Sequence, residues 1–254
     1  MSDSRRDLAV VVMAAGKGTR MGSPDRAKVL TPLAGRPLLR YVLDLAADLG
    51  AQDVIVIAGH QREAVSSFVS QAAPHANVAI QDQQLGTGHA VMQAQPFLEG
   101  RAIDVLILSG DVPLLTSTTL TALQETFHST RSALSLLTTV LPDPTGYGRV
   151  VRAETGAVAR IVEHKDATPD EAAITEINAG IYIVQSEVLF PALERLTNAN
   201  AQGEYYLTDI VGLLIDDGHM VTAVTVENRS EVHGINTPAD LDQAARMLSE
   251  RVPS

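Results

Sequence analysis

The sequence predicts an α/β protein built on a mostly parallel sheet with helices on both faces. From Leu8 to Val140, short apolar runs alternate with segments of helical periodicity, which is the order typical of β-α-β units. Parallel strands joined in this way are buried on both faces, so their apolar runs need not alternate with polar residues. A stretch rich in proline and glycine follows, from Pro142 to Gly148. The strands predicted after it favour a smaller, β-rich lobe.

The first part of the chain supplies strands joined by helices. The valine-rich run from Leu8 to Met13 is typical of a buried strand. The first helix is indicated by apolar residues at helical spacing, with Pro37 at its start and Gly50 just past its end. Further strands are predicted at 53–58, 78–81, 104–108 and 133–140, and further helices at 61–71, 88–97 and 118–128.

The second part begins with closely spaced strands. They are predicted at 149–152, 158–164 and 177–184. Helices at 186–196 and 206–217, a strand at 221–226 and a final helix at 238–250 complete the chain. Because neither an internal repeat nor a low-complexity linker interrupts it, we expect a single domain over residues 1–254.

The charge balance argues against nucleic acid or a membrane as a partner. Acidic residues total 30 against 19 lysines and arginines, for a formal net charge of −11, and such a surface repels polyanions. The sequence contains no cysteine, which excludes disulfides and thiolate zinc sites. It shows neither a signal peptide nor an apolar run as long as a membrane span. We therefore expect a cytoplasmic protein.

A glycine-rich loop follows the first strand, from Ala14 to Gly22. It is not a P-loop, because Val11 occupies the position where a P-loop has its first glycine. It is not a dinucleotide fingerprint either, because Met21 occupies the position of the third glycine. Small residues nevertheless let a backbone approach a ligand closely, and consecutive N–H groups can bind an anion. Three basic residues lie nearby in the sequence: Lys17, Arg20 and Lys28. The loop therefore indicates a phosphate site, with a solvated turn carrying scattered charges as the alternative.

Several motifs in order give the sequence a family resemblance. The run from Met13 to Met21, followed by Lys28-Val29-Leu30, resembles the signature of sugar-nucleotide pyrophosphorylases. The other motifs are Gln83–Ala90, Gly110–Pro113, Asp143–Arg149, Ile161–Ala167, Glu176–Asn178 and Asn200–Tyr206. Together they resemble the uridyltransferase domain of the bacterial bifunctional N-acetylglucosamine-1-phosphate uridyltransferase and glucosamine-1-phosphate acetyltransferase. The resemblance covers about residues 8 to 250.

The resemblance implies a Rossmann-like nucleotide-diphospho-sugar transferase fold. Its nucleotide-binding part would span about 8–140, its sugar-binding part about 141–236, and a C-terminal helix 237–250. The implied reaction joins UTP to N-acetylglucosamine 1-phosphate, giving pyrophosphate and UDP-N-acetylglucosamine, a peptidoglycan precursor used in cell wall biogenesis. The attacking phosphate oxygen is already anionic, so positioning and charge stabilisation are expected to carry the catalysis.

The resemblance also implies the site residues. It assigns catalysis to Arg20 and Lys28, and sugar binding to Gly148, Glu163 and Asn178. The implied nucleotide-binding residues are Met13, Ala14, Ala15, Gly16, Lys17, Gly18, Gln81, Gly86, Thr87, Ser109 and Gly110.

A Mg²⁺ ion is the implied cofactor. Asp111 follows the strand predicted at 104–108, where a carboxylate that faces a ligand is expected, and a turn-forming role is the alternative. The family adds an asparagine, matched here by Asn236. Two protein oxygens suffice because Mg²⁺ keeps several of its waters.

The sequence departs from the family in three respects. The bifunctional enzymes continue into a left-handed β-helix of hexapeptide repeats, and this sequence contains none. We therefore expect neither acetyltransferase activity nor trimerisation through that helix, and the oligomeric state stays open. Ser109 stands where the family more often has tyrosine, and Ala27 where proline is usual. Both changes lie at the predicted pocket and bear on sugar selectivity.

Two alternative functions fit the same motifs. One is a uridylyl- or thymidylyltransferase for another sugar 1-phosphate, such as glucose 1-phosphate. The other is a non-catalytic relative that senses nucleotide-sugars and keeps the fold without turnover. The presence of Arg20, Lys28, Asp111 and Asn236 favours catalysis.

Overall fold

A computed structural model describes residues 6–21 and 26–251 and places a nine-stranded mixed sheet at the centre of the protein. Its strands are β1 (Leu8–Ala14), β4 (Asp53–Ala58), β5 (Asn77–Ile80), β6 (Asp104–Ser109), β7 (Leu134–Val140), β8 (Arg149–Arg152), β9 (Val158–Val162), β10 (Glu176–Gln185) and β11 (Val221–Thr225). A separate two-stranded ribbon consists of β2 (Pro32–Leu33) and β3 (Arg36–Pro37).

Helices follow most of these strands. They are α1 (Leu38–Asp48), α2 (Arg62–Ala72), α3 (Thr87–Met92), α4 (Gln95–Leu98), α5 (Ser117–Thr130), α6 (Pro169–Ala172), α7 (Ser186–Glu194), α8 (Asp209–Asp216) and α9 (Pro238–Arg251). Short 3₁₀ turns lie at Thr19–Met21, Lys28–Leu30 and Arg229–Val232. No helix among the described residues is long and apolar enough to cross a membrane. The expected cytoplasmic location stays a prediction.

The sheet is mostly parallel, in the order β11-β7-β10-β6-β1-β4-β5. Strand β1 pairs in parallel with β4 and β6, β4 with β5, and β7 with β11. Strand β10 alone of this series runs antiparallel, between β6 and β7. The β8–β9 hairpin lies beside the series and joins β10 at Ile177. The predicted fold class is confirmed.

Alternate residues of the strands enter two separate core layers. Val11 and Ile107 face a layer covered by α3, α7 and α8. Val10 and Leu106 face the opposite layer, covered by α1, α2 and α5. All four side chains are fully buried, so the uninterrupted apolar runs are explained by burial on both faces.

Most predicted bounds agree with the structure to within two residues, but two helices and one larger segment differ more. The helix expected at 88–97 is two short helices, because Pro96 lacks the N–H group that would donate to the Met92 carbonyl in a continuous helix. The helix expected at 206–217 begins only at Asp209, since Leu207 N donates to Thr87 Oγ1 at 3.0 Å. The range 141–236, expected to bind sugar, also supplies β10 and β11 to the central sheet.

The parallel strands end at one edge of the sheet. Strands β1, β4 and β6 run in the same direction, so their carboxyl ends lie together. Strand β10 runs the other way and contributes its amino-terminal end to this edge. Open α/β sheets bind ligands at such an edge.

The Arg152–Glu176 ion pair joins β8 to β10 through two hydrogen bonds of 2.7 and 2.6 Å. Burial alone would raise the pKa of Glu176, but hydrogen bonds from Arg152 and Thr138 and the charge of Arg152 lower it overall. A carboxyl whose folded pKa lies below its unfolded value contributes stability above the unfolded pKa and loses it as pH falls through the folded pKa.

We therefore expect Glu176→Gln to lower the free energy of unfolding at pH 7 by about 1 kcal/mol. The difference from wild type should shrink once pH falls below about 4, near the pKa of an unperturbed glutamate. Urea unfolding at a series of pH values measures it. A difference that stays constant down to acid pH would contradict this role of the charge.

Candidate active site

Two adjoining cavities open at the carboxyl edge of the sheet. The first, here called the loop cavity, measures about 440 Å³ and lies between the glycine-rich loop and the segment from Gln81 to Ala90. The second, the strand cavity, measures about 360 Å³ and lies against β10 and the loop before β8. The residues that line both are Met13, Thr87, Ser109 and Asp111. A single ligand can therefore extend from one cavity into the other.

The glycine-rich loop forms one wall of the loop cavity through Ala15, Gly16 and Lys17. A Cβ at Gly16 would meet no atom within 4 Å, whereas a Cβ at Gly18 would lie 2.5 Å from Lys28 Cβ. Gly18 also has a positive φ of +61°, which favours glycine. Gly18 therefore lets the loop pack closely against the stem of Lys28.

Gln81, at the end of β5, presents an acceptor to the loop cavity. Its amide nitrogen donates to Gly86 O at 3.1 Å and lies 3.0 Å from His89 Nδ1. Gly86 O can only accept, so the amide nitrogen is the group that faces it. Among the described residues no partner is found for Gln81 Oε1. That oxygen is available to a ligand donor in the cavity, which Gln81 lines.

The opposite wall of the loop cavity depends on a close contact at Gly86. Tyr205 N donates to Leu85 O at 2.8 Å, and Gly88 N donates to Tyr205 O at 2.8 Å. A Cβ at Gly86 would lie 2.6 Å from Tyr205 O, and its φ is +111°. Glycine is required here for both reasons.

Lys28 lies at the junction of the two cavities, between two oxygens. Its Nζ donates to Asp111 Oδ2 and, at 3.1 Å, to Asn236 Oδ1. Arg20 Nη2 donates to the same Asn236 oxygen at 3.0 Å. The side chains of Lys28 and Asp111 are only 12% and 14% exposed, so their attraction is screened less than at the surface. Ser109 Oγ donates to Asp111 Oδ1 at 2.7 Å.

The donor set at this junction fits a Mg²⁺ ion. Asp111 supplies a carboxylate and Asn236 an amide oxygen, and both already converge on one cation, the ammonium of Lys28. Within residues 6–21 and 26–251, no group of three or more His, Cys, Asp or Glu side chains is placed to hold a metal. Two protein oxygens match Mg²⁺, which keeps much of its water shell.

The strand cavity is lined by hydrogen-bonding groups on β10 and its neighbours. Asn178 is buried, donates to Tyr182 OH at 2.6 Å and accepts from Gly180 N at 3.1 Å. Its backbone N–H donates to Gly148 O at 2.9 Å. A Cβ at Gly148 would lie 3.0 Å from Ile161 Cγ2, so this turn packs tightly on β9.

Glu163 is the carboxyl group of the strand cavity. It accepts a 2.9 Å hydrogen bond from Thr208 Oγ1. Burial raises the pKa of Glu163. The negative charges of Asp209 and other nearby carboxylates raise this pKa further, and the hydrogen bond from Thr208 opposes both effects. A partly buried carboxyl of this kind can accept from, or when protonated donate to, a ligand hydroxyl.

Four of the predicted residues do not line either cavity. The Ala14 side chain enters the core layer covered by α1. Gly110 N donates to Met13 O at 2.9 Å, and Gly18 supports Lys28. Arg20 is exposed and reaches the junction through Asn236. All the other predicted residues line one or both cavities.

Five lining residues with polar side chains were not predicted from the sequence. Gln84 and Glu204 lie on the loop cavity, and Tyr147, Tyr182 and Thr208 on the strand cavity. Gln84, Tyr147 and Glu204 belong to motifs already singled out, so their polar side chains were the available signal. Thr208 and Tyr182 carry no such signal.

The chain matches the model of the nucleotidyl transferase family over residues 9–230. It belongs to that family. It is 49% identical to "Bifunctional protein GlmU" of Paracidovorax citrulli, over 96% of this chain and 52% of the relative. It is 46% identical to the protein of that name from Brevibacillus brevis, again over 96% and 52%. The family predicted from the motifs is confirmed, and the chain spans about half the length of these relatives.

A solved structure shares the fold. UDP-glucose pyrophosphorylase complexed with UDP-glucose superposes with a TM-score of 0.77, over 97% of this chain and all of that one. The two sequences are 15% identical. The similarity therefore concerns the arrangement of strands and helices.

We expect Gly86→Ala to weaken nucleoside triphosphate binding about tenfold or more, because its Cβ would clash with Tyr205 O and displace this wall of the loop cavity. Gly100→Ala is the matched control, since Gly100 also has a positive φ, of +75°, but no atom lies within 4 Å of its Cβ position. Calorimetric titration with UTP as the test ligand measures the affinity of both variants. Equal affinities for the two variants would count against the close contact as the cause.

Proposed function

We propose that this chain transfers the uridylyl group of UTP to N-acetylglucosamine 1-phosphate, forming UDP-N-acetylglucosamine and pyrophosphate. The observation that carries the proposal is the meeting of the two cavities at Lys28, Asp111 and Asn236. Base and sugar can lie in separate cavities, with the reacting phosphates beside the cationic junction. Membership of the nucleotidyl transferase family supports the reaction class.

The loop cavity suits a uracil base. Gln81 offers its carbonyl oxygen because Gly86 O holds the amide nitrogen. Uracil has an N3–H group that can donate to this oxygen, and cytosine has a lone pair at the same ring position. A cytosine would therefore leave Gln81 Oε1 unpaired or force its amide to turn, at a cost in free energy.

The chemistry needs positioned charge and no activated side chain. The phosphate oxygen of the sugar substrate forms a bond to the α-phosphorus as the bond to the pyrophosphate oxygen breaks. Lys28 and Arg20 would hold the triphosphate and stabilise the leaving pyrophosphate. The N–H groups of Ala15 to Gly18 would bind phosphate oxygens.

Mg²⁺ is the proposed cofactor, held by Asp111 and Asn236. When bound, it would neutralise charge on the phosphates. The hydrogen bond from Ser109 to Asp111 Oδ1 directs the other carboxylate oxygen towards the junction.

The strand cavity is the proposed sugar site. Gly148, Glu163 and Asn178 offer backbone, carboxyl and amide groups to the hydroxyl and N-acetyl groups of the sugar. The nucleotide part would correspond to residues 8–140 and the sugar part to 141–236, although each part lines some of the other cavity. Glu204 lines the loop cavity, and the strand cavity is also lined by Met13, Thr87, Ser109, Asp111 and Val112.

Pyrophosphate release tests the proposal. Purified protein is given Mg²⁺ and UTP with either N-acetylglucosamine 1-phosphate or glucose 1-phosphate, and CTP replaces UTP in parallel. We expect rapid, Mg²⁺-dependent turnover with UTP and the N-acetylated sugar. Faster turnover of glucose 1-phosphate would overturn the proposed sugar, and no turnover with either sugar would overturn the proposed reaction.

We expect Lys28→Ala to lower kcat/KM by about 10²-fold or more, because it removes a charge contact that strengthens in the transition state. Lys165→Ala is the control, since it removes the same charge from an exposed side chain that lines neither cavity. Steady-state pyrophosphate release measures kcat/KM for both variants. A Lys28→Ala enzyme as active as Lys165→Ala would exclude the catalytic role.

A further inference from the structure

The segment that carries Asn236 lies outside both layers that cover the sheet. Helix α9 packs through Leu241 and Ala244 against a third apolar cluster, which includes Leu33 of the β2–β3 ribbon. Ile235 N donates to Asp111 O at 2.9 Å. This bond ties Ile235 to the loop that follows β6, whereas the position of Asn236 itself depends on further local contacts.

Asp240 supplies those local contacts. Its Oδ2 accepts from Asn236 N at 2.9 Å and from Thr237 N at 2.8 Å. In return, Asp240 N donates to Thr237 Oγ1 at 3.2 Å. This is a reciprocal cap at the start of α9, extended by one residue to Asn236.

The cap holds the backbone of Asn236, and a separate hydrogen bond orients its side chain. Its Nδ2 donates to Gly234 O at 3.1 Å, which turns Oδ1 towards Lys28 and Arg20. If the backbone at Asn236 moved, that oxygen would leave the junction. Displacements of about 1 Å in such groups can cost about 10²-fold in rate.

The second oxygen of Asp240 leads to the strand cavity. Asp240 Oδ1 lies 3.2 Å from His233 Nε2, and His233 Nδ1 lies 3.4 Å from Tyr147 OH. Tyr147 lines the strand cavity from the turn before β8. One series of side chains thus runs from the proposed sugar site to the backbone of Asn236.

We propose that Asp240 is a positioning residue for the transfer reaction, which holds Asn236 Oδ1 at the junction and connects it through His233 to Tyr147. The inference rests on the proposed function of the two cavities. It predicts that loss of Asp240 impairs cation binding and turnover, and that loss of the His233 contacts impairs binding of the sugar phosphate.

The matched pair Asp240→Ala and Asp242→Ala tests the first part. Asp242 lies on the same helix, carries the same charge and is exposed, and no partner for its side chain is found among the described residues. We expect Asp240→Ala to raise the Mg²⁺ concentration for half-maximal rate about fivefold and to lower kcat about tenfold. Asp240→Asn keeps an acceptor oxygen, so its half-maximal Mg²⁺ concentration and its kcat should both stay within about threefold of the wild-type values.

Cation binding is also measured without turnover, by electron paramagnetic resonance of Mn²⁺ in the presence of UTP. We expect weaker Mn²⁺ binding for Asp240→Ala and wild-type binding for Asp242→Ala, at a temperature where both are folded by circular dichroism. Should Asp240→Ala not fold, Asp240→Ser is measured instead, because its shorter side chain also leaves Asn236 N without its acceptor.

His233→Phe tests the connection to the sugar side. Phenylalanine keeps an aromatic ring and loses both nitrogens, so we expect a KM for sugar 1-phosphate that rises about threefold or more with the KM for UTP unchanged. An unchanged KM for the sugar phosphate would overturn this connection.

The outcomes separate the two proposals. A wild-type protein that releases no pyrophosphate with any sugar phosphate would count against the proposed function, whatever the Mn²⁺ result. Equal Mn²⁺ affinity in Asp240→Ala and Asp242→Ala would overturn the positioning role of Asp240, whatever the activity of the wild type.

Discussion

The site depends on one interaction, the contact of the Lys28 ammonium with Asp111 and Asn236. It brings together three distant parts of the chain: the turn after the glycine-rich loop, the end of β6 and the segment before α9. Lys28 and Asp111 are largely shielded from water, so removing one partner leaves an uncompensated charge. The two cavities meet at this point, and any ligand that spans them must lie beside it.

The sheet explains why these groups meet. Parallel strands β1, β4 and β6 deliver their following loops to one edge, while β10 enters between β6 and β7 in the opposite direction. The reversal places Asn178, near the start of β10, at the same edge as Asp111. Both cavities therefore lie at the edge of one sheet, whose strand order fixes where the proposed base and sugar sites lie relative to each other.

Much of this arrangement could be predicted from local sequence. Apolar runs identified β1 and β6, and the small residues after β1 indicated the loop that approaches a ligand. The antiparallel insertion of β10 could not be predicted, because pairing between distant strands leaves no periodic signal. The same holds for Asp240, whose importance comes from contacts with Asn236 and His233. Thr208 lies just before α8, where Leu207 N donates to the distant Thr87, and such a contact leaves no signal in the local sequence.

A crystal structure with UDP-N-acetylglucosamine and Mg²⁺ tests the central claim most directly. We expect the uracil beside Gln81 in the loop cavity, the sugar beside Glu163 in the strand cavity, and the phosphates next to Lys28 with the metal on Asp111 and Asn236. A nucleotide-sugar whose uracil and sugar both lay outside these cavities, or a metal bound away from Asp111, would contradict the account.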